Sequence, residues 1–193
     1  MVDKTRVGMP LDEFLELSHE QPFDLINGER IPLMSGVAVH GETIRALFLA
    51  IWLYISTKLL GDVITETTFI LPDTYDSNWV EGSRTPDVMY YAAGRLQAYK
   101  AQTPDWQARP YALVPDFVAE VVSPNDKFSE LDKKIDAYLA DGVRLIWVID
   151  PQRRKAVVYA PDLEQPIHLA GDAVLDGGDV IPGFQVPLSK LFE

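Results

Sequence analysis

Apolar side chains recur with helical spacing in three parts of the chain. This spacing predicts helices over residues 10–17, 37–60 and 129–141. The middle of the second helix, residues 46–55, is apolar on every side, which predicts a helix buried between other elements. The third helix is expected to be capped by Ser129 and closed by Gly142, because serine favours helix starts and glycine favours helix ends.

Shorter apolar or alternating runs predict β-strands. They lie at 23–26, 29–34, 63–71, 87–91, 117–122, 144–149 and 156–160, with further short strands after residue 171. Asn27 and Gly28 predict a tight hairpin between the first two strands, because both residue types accept a positive φ. Residues 72–86 and 94–115 are expected to be loops.

The order of these elements predicts the fold class. Strand, helix and strand from residue 117 to 149 predict a right-handed parallel crossover. The hairpins on either side of it are antiparallel, so the sheet should be mixed. The sequence therefore predicts an α/β fold, with a mixed β-sheet flanked by helices, in a single domain over residues 1–193.

The composition excludes several kinds of chemistry. The 193 residues include no cysteine, which excludes disulfides, iron–sulfur clusters and thiol nucleophiles. The histidines, His19, His40 and His168, lie far apart in the chain. A metal site would therefore be built mainly from oxygen ligands, which suit Mg²⁺, Mn²⁺ or Ca²⁺.

The net charge is −12, but it is spread unevenly. Such acidity argues against a protein that coats nucleic acid with a general basic surface. Residues 123–155 nevertheless contain seven basic and six acidic side chains, which is compatible with a local positive face. We find no signal peptide, and the apolar run 46–55 is too short to cross a bilayer, so we expect a cytoplasmic protein without membrane contact.

Two acidic residues stand in apolar strands. Glu120 shares a strand face with valines, where an ionised carboxylate is costly unless a cation or hydrogen bonds compensate it. Asp87 begins another strand. On neighbouring strands the two carboxylates would repel each other, and a divalent cation would relieve that repulsion. The alternatives are a solvated glutamate on an edge strand and an aspartate that bonds the backbone of its own turn.

The third predicted helix carries two adjacent lysines with different environments. Its buried stripe is formed by Leu131, Ile135, Tyr138 and Leu139. At 100° per residue, Lys134 lies at the margin of this stripe and Lys133 lies on the solvated side. Lys134 is therefore expected to reach back towards the sheet. The alternative is a boundary lysine whose stem covers apolar surface while its ammonium stays in water.

Together these motifs resemble the Uma2 family. The resemblance rests on PDFVAEVVSPNDKFSELDKKIDAYLADGVRLIWVIDP at 115–151, on PDVMYY upstream and, more loosely, on FDLINGERIPLMSGVAVHGETI near the start. It implies a restriction-endonuclease-like fold in the PD-(D/E)xK nuclease superfamily. In this branch the lysine has moved from the strand to the following helix, and Val122 stands where the usual motif has lysine.

The resemblance also implies a site and a reaction. Asp87, Glu120 and the backbone carbonyl of Val121 would hold Mg²⁺ or Mn²⁺, and Lys134 would assist the hydrolysis of phosphodiester bonds. The implied substrate is nucleic acid, with DNA as the first expectation. The implied assembly is a homodimer, because cutting both strands takes two sites. His40 also matches a family position and is a candidate for substrate binding, with no assigned role.

The segment 94–115 joins the two strands that carry the acids. Its basic residues Arg95, Lys100 and Arg109 are predicted to bind substrate. Its aromatic residues, Tyr99, Trp106 and Tyr111, would be available to stack on bases. The alternative is that these rings pack the segment onto its own domain.

Two other functions stay open at this point. A module with the same fold could bind nucleic acid or protein without turnover, which the negative net charge favours. An acidic pair that binds no metal and has only a structural role is the third alternative.

Overall fold

Four α-helices and thirteen strands are formed by the residues that this computed structural model describes, 6–34 and 36–193. The helices are Leu11–Glu20 (α1), Ala38–Ser56 (α2), Arg95–Gln102 (α3) and Phe128–Asp141 (α4). The strands are Met9–Pro10 (β1), Phe23–Ile26 (β2), Glu29–Pro32 (β3), Gly61–Thr65 (β4), Phe69–Pro72 (β5), Trp79–Arg84 (β6), Val88–Ala92 (β7), Phe117–Val121 (β8), Leu145–Asp150 (β9), Lys155–Tyr159 (β10), Ile167–Ala170 (β11), Val174–Asp176 (β12) and Gln185–Pro187 (β13).

The central sheet has six strands in the order β11-β10-β9-β8-β7-β4. β8 and β9 are parallel and are joined through α4, which confirms the predicted parallel crossover. The other four pairings are antiparallel, so the sheet is mixed, as predicted. β8 lies between two strands and is buried along its whole length, so Glu120 is not an edge-strand residue.

A second sheet has the order β1-β6-β2-β3, with β5 also paired to β6. Its β2–β3 hairpin turns at Asn27 and Gly28, whose φ angles are 51° and 79°. Positive φ at both positions is what the predicted tight turn requires. β12 and β13 pair separately near the C-terminus.

Helices α2 and α4 pack on opposite faces of the central sheet. α2 contributes Leu47 and Ile51 to a core that includes Ala119 of β8. α4 contributes Tyr138 to a second core that includes Val118 of the same strand. Successive residues of a strand point to opposite faces, so the two cores lie on the two sides of one sheet. Glu120 therefore points to the side that α4 covers.

The prediction that α2 is buried on all sides is wrong. On its outer face, the exposed fractions of Leu49, Trp52 and Leu53 are 38%, 47% and 61%. The reason is that the sheet covers the helix from one side only. α2 has 19 residues and is shorter than the predicted helix 37–60. Unlike the ten-residue run 46–55 considered alone, the whole helix has the length and hydropathy to cross a bilayer. Its inner face, however, belongs to the central core.

Three predicted segments divide differently in the structure. Residues 63–71 form no single strand, because Glu66, with a φ of 45°, separates β4 from β5 and the two join different sheets. The expected loop 72–86 contains β6, where two polar side chains are buried and bonded: Ser83 accepts a hydrogen bond from the Leu25 amide, and Arg84 donates one to the Leu25 carbonyl. The expected loop 94–115 contains α3.

The ends of α4 confirm one prediction and correct another. Gly142 closes the helix with a φ of 96°, as the sequence predicts. Ser129 does not cap its start, because the helix begins at Phe128 and the preceding Lys127 makes no side-chain cap. Glu130 and Leu131 donate their amides to the Lys127 carbonyl instead.

Candidate active site

The register of β7 and β8 places Asp87 beside Glu120. Val88 pairs with Ala119 in this antiparallel ladder, so Asp87, one residue before β7, comes opposite Glu120. The Asp87 Oδ2 atom accepts a 2.6 Å hydrogen bond from the Val121 amide. The two acids thus come from adjacent strands and line one cavity, as the sequence predicts.

Lys134 reaches this pair from α4. Its Nζ atom lies 2.9 Å from Glu120 Oε1 and donates a 3.0 Å hydrogen bond to Oε2. Lys133 turns to the surface, where it donates a 2.9 Å hydrogen bond to Glu29. The structure therefore confirms the predicted direction of both side chains. Lys134 is not a solvated boundary lysine, because its ammonium contacts the buried carboxylate of Glu120.

Sequence reasoning missed two members of this group, Asp24 and Tyr138. Asp24 is fully buried on β2, and its Oδ2 atom lies 3.3 Å from Lys134 Nζ. Tyr138 donates a hydrogen bond to Glu120 Oε1. Both had a usable signal: Asp24 is an acid within an apolar strand, as Glu120 is, and Tyr138 follows Lys134 by one helical turn.

These buried charges include more carboxylates than ammonium groups. Burial raises the pKa of Glu120 to about 7. The positive charge of Lys134 and the hydrogen bond from Tyr138 lower this pKa, whereas the negative charges of Asp87 and Asp24 raise it further. Burial by itself lowers the pKa of Lys134, but attraction to Glu120 and Asp24 outweighs it, so its pKa lies above the ordinary value. Lys134 is therefore a cation at neutral pH.

His40 stands in the first turn of α2, next to Asp87. Its Nε2 atom lies 3.3 Å from Asp87 Oδ2. The hydrogen bond to Asp87 raises the pKa of His40; burial opposes this, while the negative charges of Asp87, Asp126 and Glu66 reinforce it. The imidazole is thereby biased towards its charged form.

The cluster of Asp24, His40, Asp87, Glu120 and Lys134 lines a cavity of about 640 Å³. Its titratable lining residues are Asp24, His40, Glu66, Asp87, Glu120, Asp126, Lys127, Glu130 and Lys134. Six carboxylates thus face two lysines and one histidine. Such a negatively charged wall attracts cations and repels a phosphate that arrives without a bound cation.

The three basic residues of the segment 94–115 do not line this cavity. Arg95 pairs with Asp116 at 2.6 Å, and Arg109 lies 3.4 Å from Asp105. Lys100 places its ammonium 4.4 Å from the centre of the Trp106 ring. Their role in substrate binding stays a prediction.

The aromatic rings of the same segment contact one another. Trp106 stacks on Tyr111 with ring centres 6.4 Å apart, and Tyr99 meets Tyr111 edge-on at 5.8 Å. Tyr99 also accepts a hydrogen bond from the Ala112 amide. This geometry favours the alternative in which these rings pack the segment onto its own domain.

The donor chemistry at Asp87 and Glu120 fits a hard divalent cation. Carboxylate and carbonyl oxygens are the ligands that Mg²⁺ and Mn²⁺ prefer. A carboxylate offers about four lone pairs, and Lys134 and Tyr138 leave part of those of Glu120 available. Over 6–34 and 36–193, no three side chains of His, Cys, Asp or Glu converge on one point as ligands would. A cation here would therefore complete its coordination with a backbone carbonyl, with water or with substrate oxygens beside the two carboxylates.

Comparisons with known proteins address family and fold. A family model described as "Uma2: Putative restriction endonuclease" matches residues 11–189. A comparison with curated proteins found no match. A solved structure described as a "putative nuclease belonging to DUF820", from Anabaena variabilis ATCC 29413, is similar, with a TM-score of 0.75 and 19% identity over 95% of this chain and 97% of that chain. At this identity, the likeness shows a shared fold.

Proposed function

The chain belongs to the Uma2 family, and from this membership we propose that it is a metal-dependent endonuclease that hydrolyses phosphodiester bonds, with DNA as substrate. The observation that carries the proposal is the buried contact of Lys134 with Glu120 next to Asp87, at the wall of a cavity. One lysine and two carboxylates are a set suited to phosphodiester hydrolysis with a divalent cation. We further propose that residues 1–193 form one domain and that the protein is cytoplasmic.

Each residue of the site has a proposed part in this reaction. Asp87, Glu120 and the carbonyl of Val121 would hold Mg²⁺ or Mn²⁺, which when bound acidifies water and offsets negative charge on the phosphate. Lys134, a cation beside Glu120, would orient the attacking water or stabilise the pentacovalent transition state. Tyr138 holds the Glu120 carboxylate in place through its hydrogen bond.

Two groups of residues are proposed to bind the substrate. His40, biased towards its charged form by Asp87, would contact a phosphate that enters the cavity. Arg95, Lys100 and Arg109 would contact the nucleic acid outside the cavity, where basic side chains bind backbone phosphates. Replacing these three residues by alanine should weaken nucleic-acid binding and make the affinity depend less on salt concentration. If the affinity and its salt dependence are unchanged, these residues only pack the segment onto the domain.

A cleavage assay tests the proposed reaction. Wild type and Glu120→Gln are incubated with mixed DNA and RNA substrates, with Mg²⁺, with Mn²⁺ and with a chelator. We expect metal-dependent cleavage by wild type and none by Glu120→Gln. Glu29→Gln is the matched control, because Glu29 also pairs with a lysine of α4 but at the exposed surface. Cleavage by Glu120→Gln at the wild-type rate would contradict the proposal.

A binding module without turnover is the second candidate, and the acidic wall of the cavity favours it. Such a module could keep the fold while Lys134 neutralises Glu120 in place of a metal ion. Thermal unfolding with and without Mn²⁺ separates the two, because an ion that binds only the native state raises its stability. A rise of the unfolding temperature in wild type that Glu120→Gln abolishes favours the nuclease.

We also propose a homodimer that forms through the outer face of α2. Leu49, Trp52 and Leu53 are exposed there. At one end of this face the charges of Glu42 and Arg45 compensate each other in an ion pair. In a chain with a net charge of −12, two copies repel each other least where an apolar, locally neutral surface meets its equivalent.

A further inference from the structure

Asp24 has no part in the reaction proposed above, although it is the most deeply buried acid near the site. Its exposed fraction is 0%, and it belongs to β2 of the second sheet, not to the central sheet that carries Asp87 and Glu120. Its Oδ1 atom accepts a 2.7 Å hydrogen bond from the Thr85 amide. Its Oδ2 atom makes no well-aligned hydrogen bond with any described residue.

The charge that compensates Asp24 is the ammonium of Lys134. A buried carboxylate oxygen without a hydrogen bond is costly unless a cation is near. Lys134 Nζ lies 3.3 Å from Asp24 Oδ2 and 2.9 Å from Glu120 Oε1. The ammonium therefore sits between two carboxylates that come from two different sheets, and it belongs to neither alone.

This arrangement matters once a divalent cation competes for Glu120. A lysine side chain is long and flexible, with a compact charge at its end. With Glu120 as its one partner, Lys134 would cover the carboxylate that the cation needs, or the cation would repel the ammonium from the site. A second negative charge beside Nζ allows the ammonium and the cation to be held together.

We propose that Asp24 is a positioning residue for the proposed nuclease: it holds Lys134 beside Glu120 while a divalent cation is bound. The inference rests on the proposed function for its effect on cleavage, but the ion pair itself does not depend on it. Asp24 acts through Lys134 and touches neither the cation nor the substrate.

A double-mutant cycle with Asp24→Asn and Lys134→Met tests the pairing without any substrate. Asparagine keeps the oxygen that accepts from the Thr85 amide, so the variant should fold. Lys134→Met leaves two buried carboxylates without their ammonium and should lower the unfolding temperature. Adding Asp24→Asn should restore part of that loss, because it removes one uncompensated charge. Strictly additive changes would overturn the pairing.

The effect on the site is measured as the Kd of Mn²⁺ by calorimetry and as kcat at saturating Mn²⁺. In wild type, Asp24→Asn should lower kcat or weaken Mn²⁺ binding by roughly 10-fold to 100-fold, the usual range for residues that orient a metal site from outside it. In the Lys134→Met background the same change should alter the Kd of Mn²⁺ by less than about threefold. A 10-fold loss there would make Asp24 a direct ligand and overturn the proposal.

Asp141→Asn is the matched control, because Asp141 forms another buried ion pair between the same sheet and α4. Its partner is Arg84 of β6, at 3.1 Å. This variant should lower stability and leave kcat and the Kd of Mn²⁺ unchanged. If Asp24→Asn behaves in the same way, Asp24 has only a structural role and the proposal fails. If wild type cleaves nothing while the stability cycle shows coupling, the proposed function fails and the pairing stands.

Discussion

Lys134 and Lys133 are neighbours in the chain with opposite surroundings, which makes them a natural pair for mutation. Lys134→Met removes the ammonium from two buried carboxylates, so we expect kcat to fall by about 100-fold, as when a transition-state donor is removed. It should also reduce the free energy of unfolding by about 3 kcal/mol, as breaking a buried ion pair does. Lys133→Met should change neither, because its partner Glu29 is exposed. Equal losses in both variants would refute the assigned direction of Lys134.

Glu120 should make the stability of the metal-free protein depend on pH. Its pKa is about 7 in the folded protein against an ordinary value of 4.5, so the folded state binds the proton more tightly than the unfolded state. This contribution is complete below pH 4.5 and is lost as the pH rises through 7, by roughly 3 kcal/mol. Thermal unfolding between pH 5 and 8 measures it.

Mn²⁺ should reverse the direction of this pH dependence. A cation and a proton compete for the same carboxylate, so the affinity for Mn²⁺ should rise as the pH increases through about 7. Glu120→Gln cannot titrate and should flatten both profiles. A metal-free protein whose stability rises over this range would show that other groups dominate.

At the scale of single elements, α4 determines where the lysine lies. It begins one residue after Lys127 and ends at Gly142, and Lys134 and Tyr138 are one turn apart on the face that meets β8. The exposed Lys133 shows how narrow this face is. A helix rotated by one residue would place the wrong lysine in the site.

Gly142→Ala tests the end of this helix. The backbone there has a φ of 96°, and a Cβ atom at this position would meet no other atom within 4 Å. The expected cost is therefore conformational only, about 1 kcal/mol of the free energy of unfolding. Denaturant titration measures it, while cleavage at a temperature well below unfolding should be unchanged. Gly94→Ala is the matched control outside α4, because Gly94 also has a positive φ and leaves open space for a Cβ atom.

At the scale of the whole molecule, the exposed side of α2 is the feature that bears on assembly. Trp52 and Leu53 are 47% and 61% exposed on a helix whose other side is core. If this face joins two copies, Leu53→Glu should shift the protein to a monomer of 21.7 kDa in light scattering at micromolar concentration. Phe128→Glu is the matched control, because Phe128 is exposed on α4, which covers the opposite face of the central sheet. A wild-type monomer under these conditions would reject the dimer.

Several features of this protein follow from the sequence alone because they depend on neighbours in the chain. The Asn27–Gly28 hairpin and the glycine end of α4 are set by the φ values that these residues accept. The parallel crossover follows from the order of strand, helix and strand. The inward direction of Lys134 follows from helical periodicity, and the acid on a buried strand from alternation.

Other features were decided only by tertiary structure, because they depend on residues that are far apart in the chain. Polar β6 becomes a strand since β2 and β5 pair with it, and one-sided burial of α2 follows from a sheet that covers only its inner face. Asp24 comes within 3.3 Å of Lys134 because the second sheet folds against α4. No local sequence pattern predicts that distance, because it depends on how the two sheets and the helix pack against one another.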